Sequence, residues 1–145
     1  MAYSENKEYS FLAASSTGIA AGLRVKLDGN LKIVPAGVAD YEIGVTRSMS
    51  SNGLDPVRVL LRNAPGTVEM TAASAFAKGA TVLRAADGKI DDTGAGATVG
   101  IAMQAATDAG DIIEVLPSFD ASLAEATLTA ALAALAARVT ALEAH

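Results

Sequence analysis

The chain has no cysteine and no tryptophan, and its one histidine is the final residue, His145. Without thiols there is no disulfide framework, no thiolate nucleophile and no thiolate metal site. A single histidine excludes a His-based triad and a multi-His metal centre. Three tyrosines and three phenylalanines are the only aromatics, few for stacking bases or sugar rings. Eleven Lys and Arg, scattered without a run, stand against sixteen Asp and Glu, for a net charge of −5. Polyanion recognition needs clustered cations that displace counterions, so direct nucleic-acid binding is disfavoured. The opening residues, MAYSENKEYSFLA, lack the basic start and apolar stretch of a secretion signal. The alanine-rich tail is too interrupted by Thr, Arg and Glu to span a bilayer. Together these absences imply a protein kept in the cytoplasm that makes it, or assembled there into something larger.

What is present is glycine, alternation and one helix. The 145 residues suffice for one domain with a core. Glycine is frequent from Gly18 to Gly110 and absent afterwards, which separates a glycine-punctuated body from a glycine-free tail. In GLRVKLDGNLKIV, Leu23, Val25 and Leu27 alternate with Arg24 and Lys26, Asp28-Gly29 signals a hairpin, and Leu31 and Ile33 resume the pattern. Short strands are expected over 41–45 and 57–61, separated by the polar loop SMSSNGLDP. From Lys78 the same order returns: KGATVLRAADGKIDD, TVGIAMQAA, then DIIEVL. Gly22 and Gly79, Gly44 and Gly100, Gly53 and Gly110, and Val57 and Ile113 are spaced by 57, 56, 57 and 56 residues. That spacing points to an internal two-fold pseudo-repeat within a mainly β body, a compact barrel or sandwich. TAASAFAK, residues 71–78, is a short helix or a linker between the halves.

Beyond Pro117, Ser118 or Ser122 can cap a helix. Leu128, Leu132, Leu135, Val139 and Leu142 follow a 4, 3, 4, 3 spacing, the a/d rhythm of a heptad repeat. Arg138 at g and Glu143 at the next e can pair between neighbouring helices. Eleven alanines among the last 25 residues give high helix propensity and a slim profile. The stripe either lies on its own β body as a lid or bundles with other copies. A lone helix of this length is marginal in water, which favours a bundle, with a trimer as the expected state.

No motif carries chemistry. DGKIDD lacks the twelve-position pattern of an EF-hand and reads as a turn. GAGATVG has no αβ crossover and no Lys-Ser or Lys-Thr behind it, so it is no nucleotide loop. Ser15-Ser16-Thr17-Gly18 has hydroxyls but no histidine base. The expectation is a non-enzymatic interaction protein with no cofactor and no metal. Tyr3, Tyr9, Phe11 and Leu12 lie before the first clear strand, in a segment that either docks on a partner as an arm or forms a strand of the body.

The succession AAGLRVKLDGNLKIV, YEIGVT, VRVLL, KGATVLRAADGKI, TVGIAMQAA and DIIEVL resembles the capsid decoration, or cement, proteins of tailed bacteriophages. The resemblance covers about residues 17–116 and rests on glycine and apolar spacing. It implies a β-tulip-like barrel that sits as a homotrimer on the outer capsid surface of the virion and clamps major capsid protein subunits. Residues 1–17 would form an arm, with Tyr3, Tyr9, Phe11 and Leu12 as capsid contacts. Residues 18–117 would form the decoration domain and 118–145 the C-terminal helix, which the family pattern does not include. The rival expectation is a trimeric tail or baseplate adaptor that binds a receptor or glycan.

Overall fold

The computed structural model describes residues 7–62, 64–118 and 121–144, with side chains of the final helix from residue 128 onward. Its strands are β1 (Glu8–Phe11), β2 (Arg24–Leu27), β3 (Ile33–Pro35), β4 (Gly44–Thr46), β5 (Val57–Leu61), β6 (Val68–Thr71), β7 (Thr81–Arg84), β8 (Ile90–Asp91), β9 (Thr98–Ala102) and β10 (Ile112–Pro117). One helix, α1 (Ala121–Glu143), follows them. The fold is mainly β with a single C-terminal helix, as alternation in the body and the alanine-rich heptads predict.

The strands form two five-stranded sheets, ordered β1-β5-β4-β2-β3 and β6-β10-β9-β7-β8. Every ladder is antiparallel. Raising each strand number of the first sheet by five gives the second. The registers agree as well: Arg24 faces Val45, which faces Leu60, while Thr81 faces Ile101, which faces Leu116. Both sheets bring their edges together in the same way. Parallel bridges join Ala13 to Ile33 and Ala72 to Ile90, so the chain beyond β1 or β6 meets the far edge strand. Such curling protects edges that would otherwise offer unpaired backbone groups.

Glycine is required where the ladders pack most tightly. A Cβ at Gly44 would come within 2.2 Å of the Leu60 carbonyl oxygen, and one at Gly100 within 2.1 Å of that of Leu116. Inward residues form two apolar clusters. Val25, Ile33, Val57 and Val59 lie within the first sheet. Val82, Ile90, Ile113 and Val115 lie within the second, where Met70 and Val45 join them.

Two local details go beyond what the sequence pattern decides. Residues 71–78 form no helix: β6 ends at Thr71, and Ala72 and Phe76 make isolated bridges to Ile90 and Ala106. Small residues there close the second sheet instead of presenting a helical face. The two Asp-Gly pairs also turn differently. Asp87 and Gly88 both take positive φ, 56° and 73°, within a single 3-10 turn. In the first hairpin the positive φ falls on Leu31, at 59°, while the Asp28 carboxylate accepts the Asn30 and Lys32 amides. The side-chain cap takes over the work that Asp-Gly backbone geometry does in the second hairpin.

Candidate assembly surfaces

The helix stripe is uncovered in the single chain. Leu128, Leu132, Leu135, Val139 and Leu142 range from 45% to 74% exposed, and Arg138 and Glu143 are also exposed. The lid arrangement, in which the stripe rests on its own body, does not describe these residues. The first turn of the helix carries no acidic residue and the last turn no basic one. No helix among the described residues is long and apolar enough to cross a membrane.

The expected arm is largely built into the body. Tyr3 lies outside the described residues. Glu8–Phe11 pair with β5 throughout, Phe11 packs against the first apolar cluster and Ala13 is buried. From Glu8 onward, therefore, the segment is an edge strand. Tyr9 is still 61% exposed, with its ring 4.9 Å from that of Phe11, and Leu12 is partly exposed beside it. An aromatic pair on a strand edge can add binding area at low entropic cost.

The junction between the sheets is ionic, and sequence reading missed it. Arg24, Glu42 and Arg84 are all buried. Arg84 Nε donates to Glu42 Oε2 at 2.9 Å, and Arg24 Nη1 lies 3.5 Å from the same oxygen. Arg24 also donates through Nη2 to the Ala85 carbonyl at 2.6 Å and through Nε to the Lys89 carbonyl at 3.1 Å. The guanidinium of Arg84 sits 4.8 Å from the Tyr41 ring centroid. Burial pushes the Arg24 guanidinium below its ordinary value; Glu42 opposes that shift and Arg84 adds to it. Alternation puts Arg24 with Lys26 on the side opposite Leu23, Val25 and Leu27. It does point away from the first core, but the second sheet covers that face. No spacing in a linear sequence announces a pairing across 42 or 65 residues.

Beside this junction opens an apolar groove of about 800 Å³. Ile43, Leu60 and Leu61 line it from the first sheet, and Val99, Leu116 and Pro117 from the second. Ser118 closes the lining, so the chain leaves toward α1 from this groove. On the second sheet, Leu116 at the groove and Ile101, Met103 and Ile112 beyond it are 40–51% exposed, around Glu114 and its cross-strand neighbour Glu69. Among the described residues no group of three or more His, Cys, Asp or Glu could hold a metal ion.

No family model matches the chain. No curated protein matches it either. Among solved structures it is similar to the N-terminal base of the head fibre gp8.5 of bacteriophage phi29, with a TM-score of 0.59 and 19% identity. The match covers 77% of this chain and 94% of that one. At that identity the likeness establishes a shared fold.

Proposed function

We propose that this protein is a structural component of a bacteriophage head: a homotrimeric base on the outer capsid surface that cross-links and stabilises major capsid subunits. The observation that carries this reading is the fold likeness to a head-fibre base, which extends over 94% of that chain. A base that carries something outward also accounts for the tail. α1 leaves the body with its heptad stripe uncovered, and three such helices would bury Leu128, Leu132, Leu135, Val139 and Leu142 in one seam, with Arg138 of one chain near Glu143 of the next. Because Ser118 lines the apolar groove, bundled helices would draw the three grooves toward a common axis. The role is mechanical and needs no catalysis, cofactor, metal or nucleic acid. An acidic surface suits the outside of a shell better than its DNA-facing side. Many copies on a symmetric lattice let modest contacts add.

Light scattering of the purified chain and sedimentation with purified capsids test this directly. A trimer that co-sediments supports it; a monomer that stays in the supernatant overturns it. Leu135→Asp should lower the mass by about a factor of three, from trimer to monomer, with the β body still folded by circular dichroism.

A further inference from the structure

We propose that the outer face of the second sheet is a socket for a second copy of this chain, docked head to tail. The contact would repeat between chains the one that joins the two sheets within a chain. The proposal rests on the homotrimer reading above and specifies its interface.

Within the chain, the outer face of the first sheet is covered. Arg24, Val45 and Leu60 are 0%, 4% and 7% exposed. The β7–β8 turn lies on this face: the Gly88 amide donates to the Ala36 carbonyl at 2.7 Å, and a Cβ at Gly88 would stand 2.6 Å from the Arg24 carbonyl oxygen and 3.2 Å from the Cβ of Leu23. Val45 is packed into the second cluster with Met70 of β6. At the corresponding points of the second sheet stand Thr81, Ile101 and Leu116. Thr81 is exposed, and the two apolar residues are each 45% exposed. The same surface is thus closed in one half and open in the other.

The matching plug is open too. By register, Leu31 corresponds to Gly88, and Tyr9 and Phe11 correspond to Val68 and Met70. Leu31 is 72% exposed and held at φ 59°, a left-handed conformation that costs a leucine energy and exposes its side chain to water. Tyr9 is exposed on β1, and the chain just beyond that strand bridges Ile33 through Ala13. The Asp28 cap sets that backbone; the exposed side chain is accounted for if the turn inserts into a partner, seated farther out than the Gly88 turn, where a Cβ would meet the backbone.

Charge agrees with this arrangement. The internal junction buries Arg24, Glu42 and Arg84; the corresponding residues are Thr81, Thr98 and Leu27. All three charges are replaced together, so the second junction would bury no unpaired ion. At the rim, Arg47 and Arg58 lie 3.5 and 3.8 Å from the one Glu8 carboxylate. Within the chain, Thr67 borders those three residues. Its counterpart is Glu8, so in the repeated contact Glu8 of one chain would border Thr67, Met103 and Glu114 of the next, with Arg47 and Arg58 beside it to offset the like charge of the two carboxylates. Plug and socket lie on different sheets, so the contact is heterologous and must close into a ring or run on as a filament. Helices that bundle from the C-terminal end of each body select the small ring.

The absence of cysteine makes the test clean. Leu23 and Gly88 map onto Ala80 and Leu31; in the internal copy the two Cβ positions are 3.2 Å apart, so an outward shift of the turn by a few tenths of an ångström brings the pair into disulfide range. Full-length Leu31→Cys and Ala80→Cys chains are prepared separately, mixed and oxidised. A covalent dimer is expected in the mixture and in neither chain alone. Ile101→Glu should raise the concentration at which the trimer dissociates by about tenfold or more, with the β body still folded by circular dichroism. A wild-type trimer that gives no cross-link in the mixture, or in which Leu31→Cys chains link to one another, overturns the head-to-tail contact and leaves the trimer standing. A monomeric wild type overturns both.

Discussion

At the centre of the first sheet's outer face stands Arg24; at the same point of the second stands Thr81. The strand orders are identical and the inward residues nearly so, with Val25 and Val82, and Ile33 and Ile90, all essentially without exposure. Their backbones agree even at the ladder ends. The Arg47 amide donates to the Arg58 carbonyl at 2.7 Å, and the Met103 amide to the Glu114 carbonyl at 2.8 Å. The difference lies outside. One sheet is covered by its neighbour and holds buried ions on that face; the other is bare and holds Thr, Ile and Leu. Two copies of one architecture thus carry the same core but different surfaces, because burial constrains the inside equally whereas each outside answers to what lies against it.

The largest expected effect breaks this comparison at the ionic junction. Removing Glu42 leaves two guanidiniums buried beside each other without the carboxylate that bridges them. Glu42→Ala should destabilise the body by about 3–5 kcal/mol, read as a lower urea midpoint. The matching change in the other half, Thr98→Ala, touches no buried charge and should fall within about 0.5 kcal/mol of wild type. If the two substitutions cost the same, the junction is not what distinguishes the halves.

Alternation made much of this architecture readable. Leu23 to Ile33 shows one hairpin, Thr81 to Asp91 another, and DIIEVL a strand. The last of these also held a clue to the bare face. Ile112-Ile113 and Val115-Leu116 put apolar groups on both sides of β10, which a strand with one wet face does not need. The heptad spacing located the helix and its uncovered stripe. The buried triad stayed hidden because Arg24 and Lys26 look alike in the pattern, and only the second sheet's position distinguishes them. The N-terminal segment was ambiguous for a related reason. Tyr9 and Phe11 fit an arm or an edge strand equally well until β5 is seen to pair with them. Leu31 gave no signal at all, since its left-handed backbone arises from the Asp28 cap rather than from its own chemistry.

A smaller effect sharpens the likeness of the cores. Ile33 and Ile90 occupy corresponding places, 1% and 0% exposed. Ile33→Val and Ile90→Val should each cost about 0.5–1.5 kcal/mol, and by similar amounts. Because the clusters are largely separate, the double variant should cost close to the sum. A strong departure from additivity would mean that the halves share one core after all.

The smallest effect separates the two hairpin turns by pH. Asp28 accepts the Asn30 amide at 2.8 Å and the Lys32 amide at 3.0 Å, and these bonds hold its carboxyl below the usual carboxylate range. A depressed folded value means that the contribution is complete above the unfolded value of about 4 and is lost as pH falls through the folded one. The corresponding β7–β8 turn has Ala85 in that place; backbone bonds from the Ala85 amide to the Lys89 carbonyl and from the Lys89 amide to the Ala86 carbonyl hold it, together with the Arg24 guanidinium on the Ala85 and Lys89 carbonyls, and no carboxylate caps it. Those bonds do not titrate. On acidification from pH 6 to about pH 3, hydrogen-exchange protection should fall at Asn30 and Lys32 and hold at Ala85 and Lys89. Asp28→Asn should blunt the pH dependence at the first turn and leave the second unchanged. If both turns loosen together, acid is acting on the body as a whole, and the distinction between a side-chain cap in one half and a backbone turn in the other has no energetic weight.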